Sequence, residues 1–298
     1  MNARLPLLLL YCLVPVQPAC AAAELKFQPV PDFFLLPVDV KWGEVTGVAE
    51  DAKGNIYAAR RALPPIIVFD KNGKFLRGFG EGAVRESHGL RLDKSGNIWA
   101  TCLTNHTVTK FSPEGKPVLT LGEPGKPGDD PRHFNKPTDI AFAPNGDVFV
   151  SDGYGNSRVV KFNAAGKFLL TWGAAGDRKG QFDTPHNLRL DSKGRVFVND
   201  RENKRIQVFD QSGKLLHQFG GLTPYGLFIT PDDRLFVSDG IANKVLVFTT
   251  DGGKLAEFGT LGSEPGNFIL PHGITVGADG AIFVTEINGR RVQKFVPR

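Results

Sequence analysis

At 298 residues, with 36 Lys and Arg against 31 Asp and Glu, the chain carries a formal charge of only +5, and its basic residues stand mostly alone along alternating segments. That spread argues against the clustered basic footprint of a nucleic-acid binder and leaves only weak attraction for small anions. With 35 Gly, 21 Pro and 23 Phe the composition is that of a turn-rich folded protein, and nothing in it is patterned as a long helix.

Residues 1–23 read as a secretory signal: one basic residue, Arg4, then an apolar run from Leu5 to Val16, then small residues at Ala19-Cys20-Ala21 and Ala21-Ala22-Ala23. The run is too short to span a membrane. Export to the periplasm or the medium is therefore expected, and the residues before Cys20 do not match a lipid-anchor site. Removal of the signal leaves Cys102 as the one cysteine, so core and sheet ladders, not a disulfide, must hold the fold. Residues 24–298 are expected to form a single monomeric domain.

After "KFQPVPDFFLLP" (26–37) come six self-similar units, beginning "TGVAEDAKGNIYAAR" (46–60), "HGLRLDKSGNIWATC" (88–102), "TDIAFAPNGDVFVSD" (138–152), "HNLRLDSKGRVFVND" (186–200), "YGLFITPDDRLFVSD" (225–239) and "HGITVGADGAIFVTE" (272–286). Each is an alternating strand, a tight turn and a second alternating strand. Third and fourth strands follow, such as "RVVKFN" (158–163) and "KFLLTWG" (167–173). Four antiparallel strands recurring at intervals of 39 to 50 residues predict an all-β, six-bladed β-propeller. The last unit stops after its third strand, so the segment around 26–37 is expected to supply the fourth and close the ring.

The first residue of each innermost strand can face the channel axis, and that column reads Thr46, His88, Thr138, His186, Tyr225, His272. Histidines in alternate blades would place three imidazoles around one axis. Three such ligands with a fourth position open describe a catalytic zinc site, although imidazole also suits copper, iron or nickel. A second column, thirteen residues after Val48 and its counterparts, holds Arg61 and Arg201 in opposite blades. Two guanidiniums so placed can clamp a carboxylate, which makes a small peptide or another small carboxylate the expected substrate class. Tyr154, one position beyond that column, can act as a base beside a metal and arginines, and is otherwise a turn-packing residue. His106 and His133 lie off the column and are expected at the surface. His217 is expected to point outward from a fourth strand.

In this order the residues resemble the catalytic core of peptidyl-α-hydroxyglycine α-amidating lyase, a six-bladed propeller of the NHL-repeat superfamily, over residues 32–295. The stretches that carry the likeness are "SHGLRLDKSGNIW" (87–99), "PTDIAFAPNGDVFVSDGYGNSRVVKF" (137–162), "GQFDTPHNLRLD" (180–191) and "DRENKRIQVF" (200–209). The resemblance implies zinc on His88, His186 and His272, substrate-binding and catalytic roles for Arg61 and Arg201, and a catalytic Tyr154. It also implies a structural calcium held by the backbone carbonyls of Val48 and Leu90 and by an acid directly after the third histidine. Gly273 stands at that place and removes the charged ligand. The implied reaction cleaves the N–Cα bond of a peptidyl-α-hydroxyglycine to a peptide amide and glyoxylate. Two other readings stay open: a lactonase-like metal-dependent hydrolase, and a non-catalytic NHL-repeat binding module.

Overall fold

The computed structural model describes residues 25–298, and the expected signal segment 1–23 lies outside the described residues. Within them the alternating segments form 24 strands in six four-stranded antiparallel sheets. In the first blade β2 (Val45–Glu50), β3 (Ile56–Arg60), β4 (Ile66–Phe69) and β5 (Phe75–Phe79) follow one another outward from the axis. The innermost strands of the later blades are β6 (Ser87–Leu92), β10 (Pro137–Phe142), β14 (Pro185–Leu190), β18 (Pro224–Ile229) and β22 (Pro271–Val276). Each touches the next around the circle, and β22 returns to β2. The chain is therefore a six-bladed β-propeller. Among the described residues no helix is long and apolar enough to cross a membrane.

Ring closure follows the sequence expectation. The sixth blade has the order β1-β24-β23-β22, in which β1 (Phe27–Val30) lies against β24 (Arg291–Pro297), with Phe27 opposite Pro297 and Val30 opposite Lys294. Beyond β1 the chain crosses to the first blade, where Leu35 bridges Lys74 and Phe34 packs on both Phe69 and Phe283. The N-terminal segment thus pairs an edge that would otherwise be exposed and seals the seam between the last blade and the first.

The core lies between blades. Every third strand carries a phenylalanine near its end (Phe69, Phe111, Phe162, Phe209, Phe248, Phe295), and all six are buried in clusters shared by neighbouring sheets. Burial of such a side chain contributes about 2 kcal/mol before chain entropy is counted. A second repeated device fixes the loops that enter the channel. Asp152, Asp200, Asp239 and Glu286 end the second strands of blades three to six, and each accepts a backbone N–H from the loop ahead of its own inner strand, at 2.7–3.0 Å. These loops lead directly into the histidine column.

Candidate metal centre and active site

All six inner strands lose register with their neighbours where the axial column begins. In the three histidine blades the interruption is wider. Pairing jumps from Ser87 to Leu90, from Pro185 to Leu188 and from Pro271 to Ile274, so two residues oppose one and the histidine is released from the ladder. A side chain on the second strand satisfies the amide so freed: Gly89 N–H donates to Thr101 Oγ1 and Gly273 N–H to Thr285 Oγ1, both at 2.7 Å.

His88, His186 and His272 are all buried, and their ligand atoms lie within 4.8 Å of one another. Each Nδ1 meets the backbone carbonyl of the column residue in the next blade: His88 with Thr138 at 2.7 Å, His186 with Tyr225 at 2.7 Å and His272 with Thr46 at 2.6 Å. A carbonyl only accepts, so every Nδ1 carries the proton and every Nε2 offers a bare lone pair. His88 Nε2 and His186 Nε2 face each other at 3.1 Å. Two lone pairs that close repel unless a cation lies between them, so this donor set fits a metal ion.

Burial, reinforced by the mutual repulsion of the imidazolium forms, holds His88 and His186 well below the ordinary histidine range. Burial, with Arg61 and Arg201 adding to it, brings His272 down to about 3. All three are neutral ligands at physiological pH.

Tyr154 and Arg201 are gathered at the same mouth. Tyr154 Oη is 3.1 Å from His186 Nε2, and Arg201 Nη1 donates to that hydroxyl at 2.9 Å. The Arg201 guanidinium also lies over the rings of Tyr154 and Tyr225, at 5.1 and 4.9 Å. Burial works against its charge, but the two tyrosines and Glu202 outweigh it and keep Arg201 above its ordinary range. Arg61 sits differently. It occupies the rim, ion-paired to Glu44 at 2.8 Å and near Glu86 at 3.7 Å, beside a cavity of about 490 Å³. The expected two-sided clamp is thus unequal, with Arg201 against the phenol and Arg61 at the entrance.

Below the histidines the position after the axial column is Gly in four blades, but Asp139 in the third and Asn187 in the fourth. These two meet: Asn187 Nδ2 donates to Asp139 Oδ2 at 2.5 Å, and Asn187 Oδ1 is 3.0 Å from His186 Nδ1. Asp139 Oδ2 also takes Arg91 at 2.7 Å and Arg189 at 3.2 Å. This level does not fit the calcium implied by Val48 and Leu90. The Leu90 carbonyl accepts Arg91 Nη1 at 2.8 Å, and a Cβ on Gly273 would stand 2.8 Å from the Thr46 carbonyl that holds His272. A guanidinium already occupies the Leu90 carbonyl, and a side chain at 273 would force the facing backbone of Thr46 and Gly47 to shift.

Sequence reasoning missed Asn187 and Asp139, although they are visible as breaks in a glycine column. It also missed Glu44, Glu86 and Glu202. His217 does not point outward: it shares the half-buried face of β17 (Leu215–Gly220) with Leu215 and Phe219, and packs against Phe197. His133 is only partly exposed, lying between Asp130 at 2.8 Å and Glu123 at 3.2 Å, while His106 accepts the Lys136 N–H in its turn.

An NHL-repeat family model matches residues 134–162 and 182–209. Peptidylglycine alpha-amidating monooxygenase of Rattus norvegicus is 38% identical over 217 residues, covering 62% of this chain and 22% of that protein. The Caenorhabditis elegans protein named "Probable peptidyl-alpha-hydroxyglycine alpha-amidating lyase" is 36% identical over 194 residues, 56% of this chain and 55% of its own. NHL repeat-containing protein 3 of Homo sapiens is 33% identical over 296 residues, with 88% and 84% covered. The chain therefore spans 22 to 34% of the length of the amidating monooxygenases it matches. Among solved structures, a streptogramin B lyase superposes with a TM-score of 0.67 over 92% of this chain at 17% identity, a likeness of fold.

Proposed function

Because this chain belongs to the peptidyl-α-hydroxyglycine α-amidating lyase-like family of NHL-repeat propellers, we propose that it is an exported, zinc-dependent lyase that converts a peptidyl-α-hydroxyglycine to a peptide amide and glyoxylate. One observation carries the reading: three neutral imidazoles present bare Nε2 atoms to one point, with a phenol and its guanidinium partner against them. Zinc bound there supplies Lewis acidity to a substrate oxygen.

The chain's own residues do the rest. Tyr154 Oη takes the proton of the α-hydroxyl, and Arg201 Nη1, at 2.9 Å, holds the charge of that oxygen while it lacks a proton. As the hydroxyl carbon becomes the aldehyde carbon of glyoxylate, the electron pair of the N–Cα bond leaves on the amide nitrogen, and a proton from the Tyr154 side completes the amide. Arg61 receives the terminal carboxylate at the entrance, exchanging it for Glu44.

A second reading is a metal-binding propeller without lyase activity. Its support is that a human relative matched over most of both chains is named only for its repeats. Metal analysis of the purified protein, paired with an assay on one α-hydroxyglycine peptide and a panel of lactones, separates these readings. Bound zinc with amide release is the expected result, and His186→Ala should lose the metal together with at least 10³-fold of turnover. Zinc without amide release would favour the second reading, and turnover of lactones alone would make the chain a hydrolase.

A further inference from the structure

The ends of the inner strands open on the face of the ring opposite the histidines, roughly 13 Å along the strand from His88 to Leu92. A cavity of about 220 Å³ lies there, lined from all six blades and walled by Arg91, Arg189, Leu92, Phe142, Leu190 and Phe228 among others. Leu92, Phe142 and Leu190 also line a larger groove of about 550 Å³ that runs outward past Trp99 and Ile229. The two spaces are therefore neighbours that share these three apolar walls, with the guanidiniums on the smaller and Trp99 and Ile229, beside Asp93, Lys94, Lys110 and Asp191, on the larger.

At the smaller space two guanidiniums share one carboxylate, Asp139. Arg91 is buried, and its Nε has no hydrogen-bond partner among the described residues. Among the described residues Arg189 bonds through Nη1 alone, to Asp139, Ile140 and Leu188. The second oxygen of Asp139 lies beside Gly89 and is buried without a hydrogen-bond partner among the described residues. Glu50 also lines the cavity, at its rim, where it accepts the Ala278 N–H at 3.1 Å. Arg91 Nε is left as a buried donor without an acceptor, and Arg189 keeps Nε and Nη2 unused, so an entering carboxylate would meet donors that the protein does not satisfy.

We propose that this face binds a carboxylate with an apolar body, its carboxylate on Arg189 and Arg91 and its body along Leu92, Phe142 and Leu190. The site is separate from the histidine centre and does not depend on the lyase reading.

Calorimetric titration of the metal-loaded full-length mature protein with hexanoate, hexanamide and hexylammonium tests it. Hexanoate should bind at least tenfold more tightly than hexanamide, with hexylammonium weakest, and Arg189→Gln should erase that preference while Arg61→Gln keeps it. Equal binding of the three probes overturns the proposal. So does a preference that survives Arg189→Gln, or one that Arg61→Gln removes, which would place the carboxylate at the histidine mouth. Should Arg189→Gln fail to fold, emission from Trp99, which lines the groove, decides. A hexanoate response lost in Trp99→Phe supports the site, and one retained there overturns it.

Discussion

The two mouths of the channel are built from the same six inner strands, yet they treat positive charge in opposite ways. At the histidine mouth burial keeps the imidazoles neutral, with the proton on Nδ1, and leaves bare Nε2 atoms that fit a cation. At the arginine mouth the cations are resident, two guanidiniums against Asp139, and a buried donor on Arg91 still lacks an acceptor. The difference teaches that repetition supplies the frame while one or two residues per blade decide the chemistry. The axial position alternates between a histidine and a carbonyl that orients one, and the next position is glycine except in two adjacent blades, where Asp139 and Asn187 meet.

The comparison predicts that damage at one mouth is read in turnover and at the other in stability. Tyr154→Phe removes the hydroxyl 3.1 Å from His186 and leaves the histidines, so zinc content should stay at one per chain while kcat falls roughly 10²–10⁴-fold. Normal turnover would dismiss Tyr154 as the proton acceptor. Asp139→Asn acts on the other mouth, because it leaves Arg91 and Arg189 facing each other without their shared carboxylate. Removing one partner of a buried ionic cluster costs about 3–5 kcal/mol, which urea unfolding would register directly. A change below about 1 kcal/mol would mean that the guanidiniums find water instead.

Acid should sharpen the contrast further. His272 has a folded-state pKa of about 3 against an ordinary 6.5, so above 6.5 both states are neutral and its full contribution is present. As the pH falls below 6.5 the unfolded state takes the proton first, and stability is lost progressively until the folded pKa is reached. Metal-free protein should therefore lose on the order of 2 kcal/mol for His272 alone between pH 7 and pH 5. Urea unfolding at the two pH values, repeated on His272→Gln, checks this: the variant should show the smaller loss.

Much of this was legible in the sequence because it repeats. The blades, the closing strand and the axial column all follow from self-similarity at a fixed register, and the structure keeps that register in every inner strand up to the bulge. What was not legible is non-local. Arg61 and Arg201 occupy equivalent positions, but Glu44 and Glu86 reach Arg61 from the entry loops of two blades, while Arg201 lies between tyrosines of two others. Repeat alignment cannot see partners that differ from blade to blade. His217 was misplaced for a simpler reason: its alternation partners Leu215 and Phe219 are apolar, which marks their face as the inner one.

The two mouths are not independent, and the smallest predicted effect tests their connection. Asn187 reaches down to Asp139 at 2.5 Å and up to His186 Nδ1 at 3.0 Å, so the arginine cluster ends on one of the three histidines that could hold a metal. The Tyr225 carbonyl already takes the His186 Nδ1 proton at 2.7 Å, which means that Asn187 does not choose the tautomer. Its contribution is orientation: the amide held by Asp139 limits rotation of the ring. Losing such a support typically weakens metal binding 10–100-fold, and because the carbonyl remains, Asn187→Ala should lie at about tenfold with kcat at saturating zinc nearly unchanged. Competition for zinc with a chelator of known affinity measures it. An unchanged affinity would separate the two mouths, and a loss as large as that of His186→Ala would make Asn187 part of the ligand frame itself.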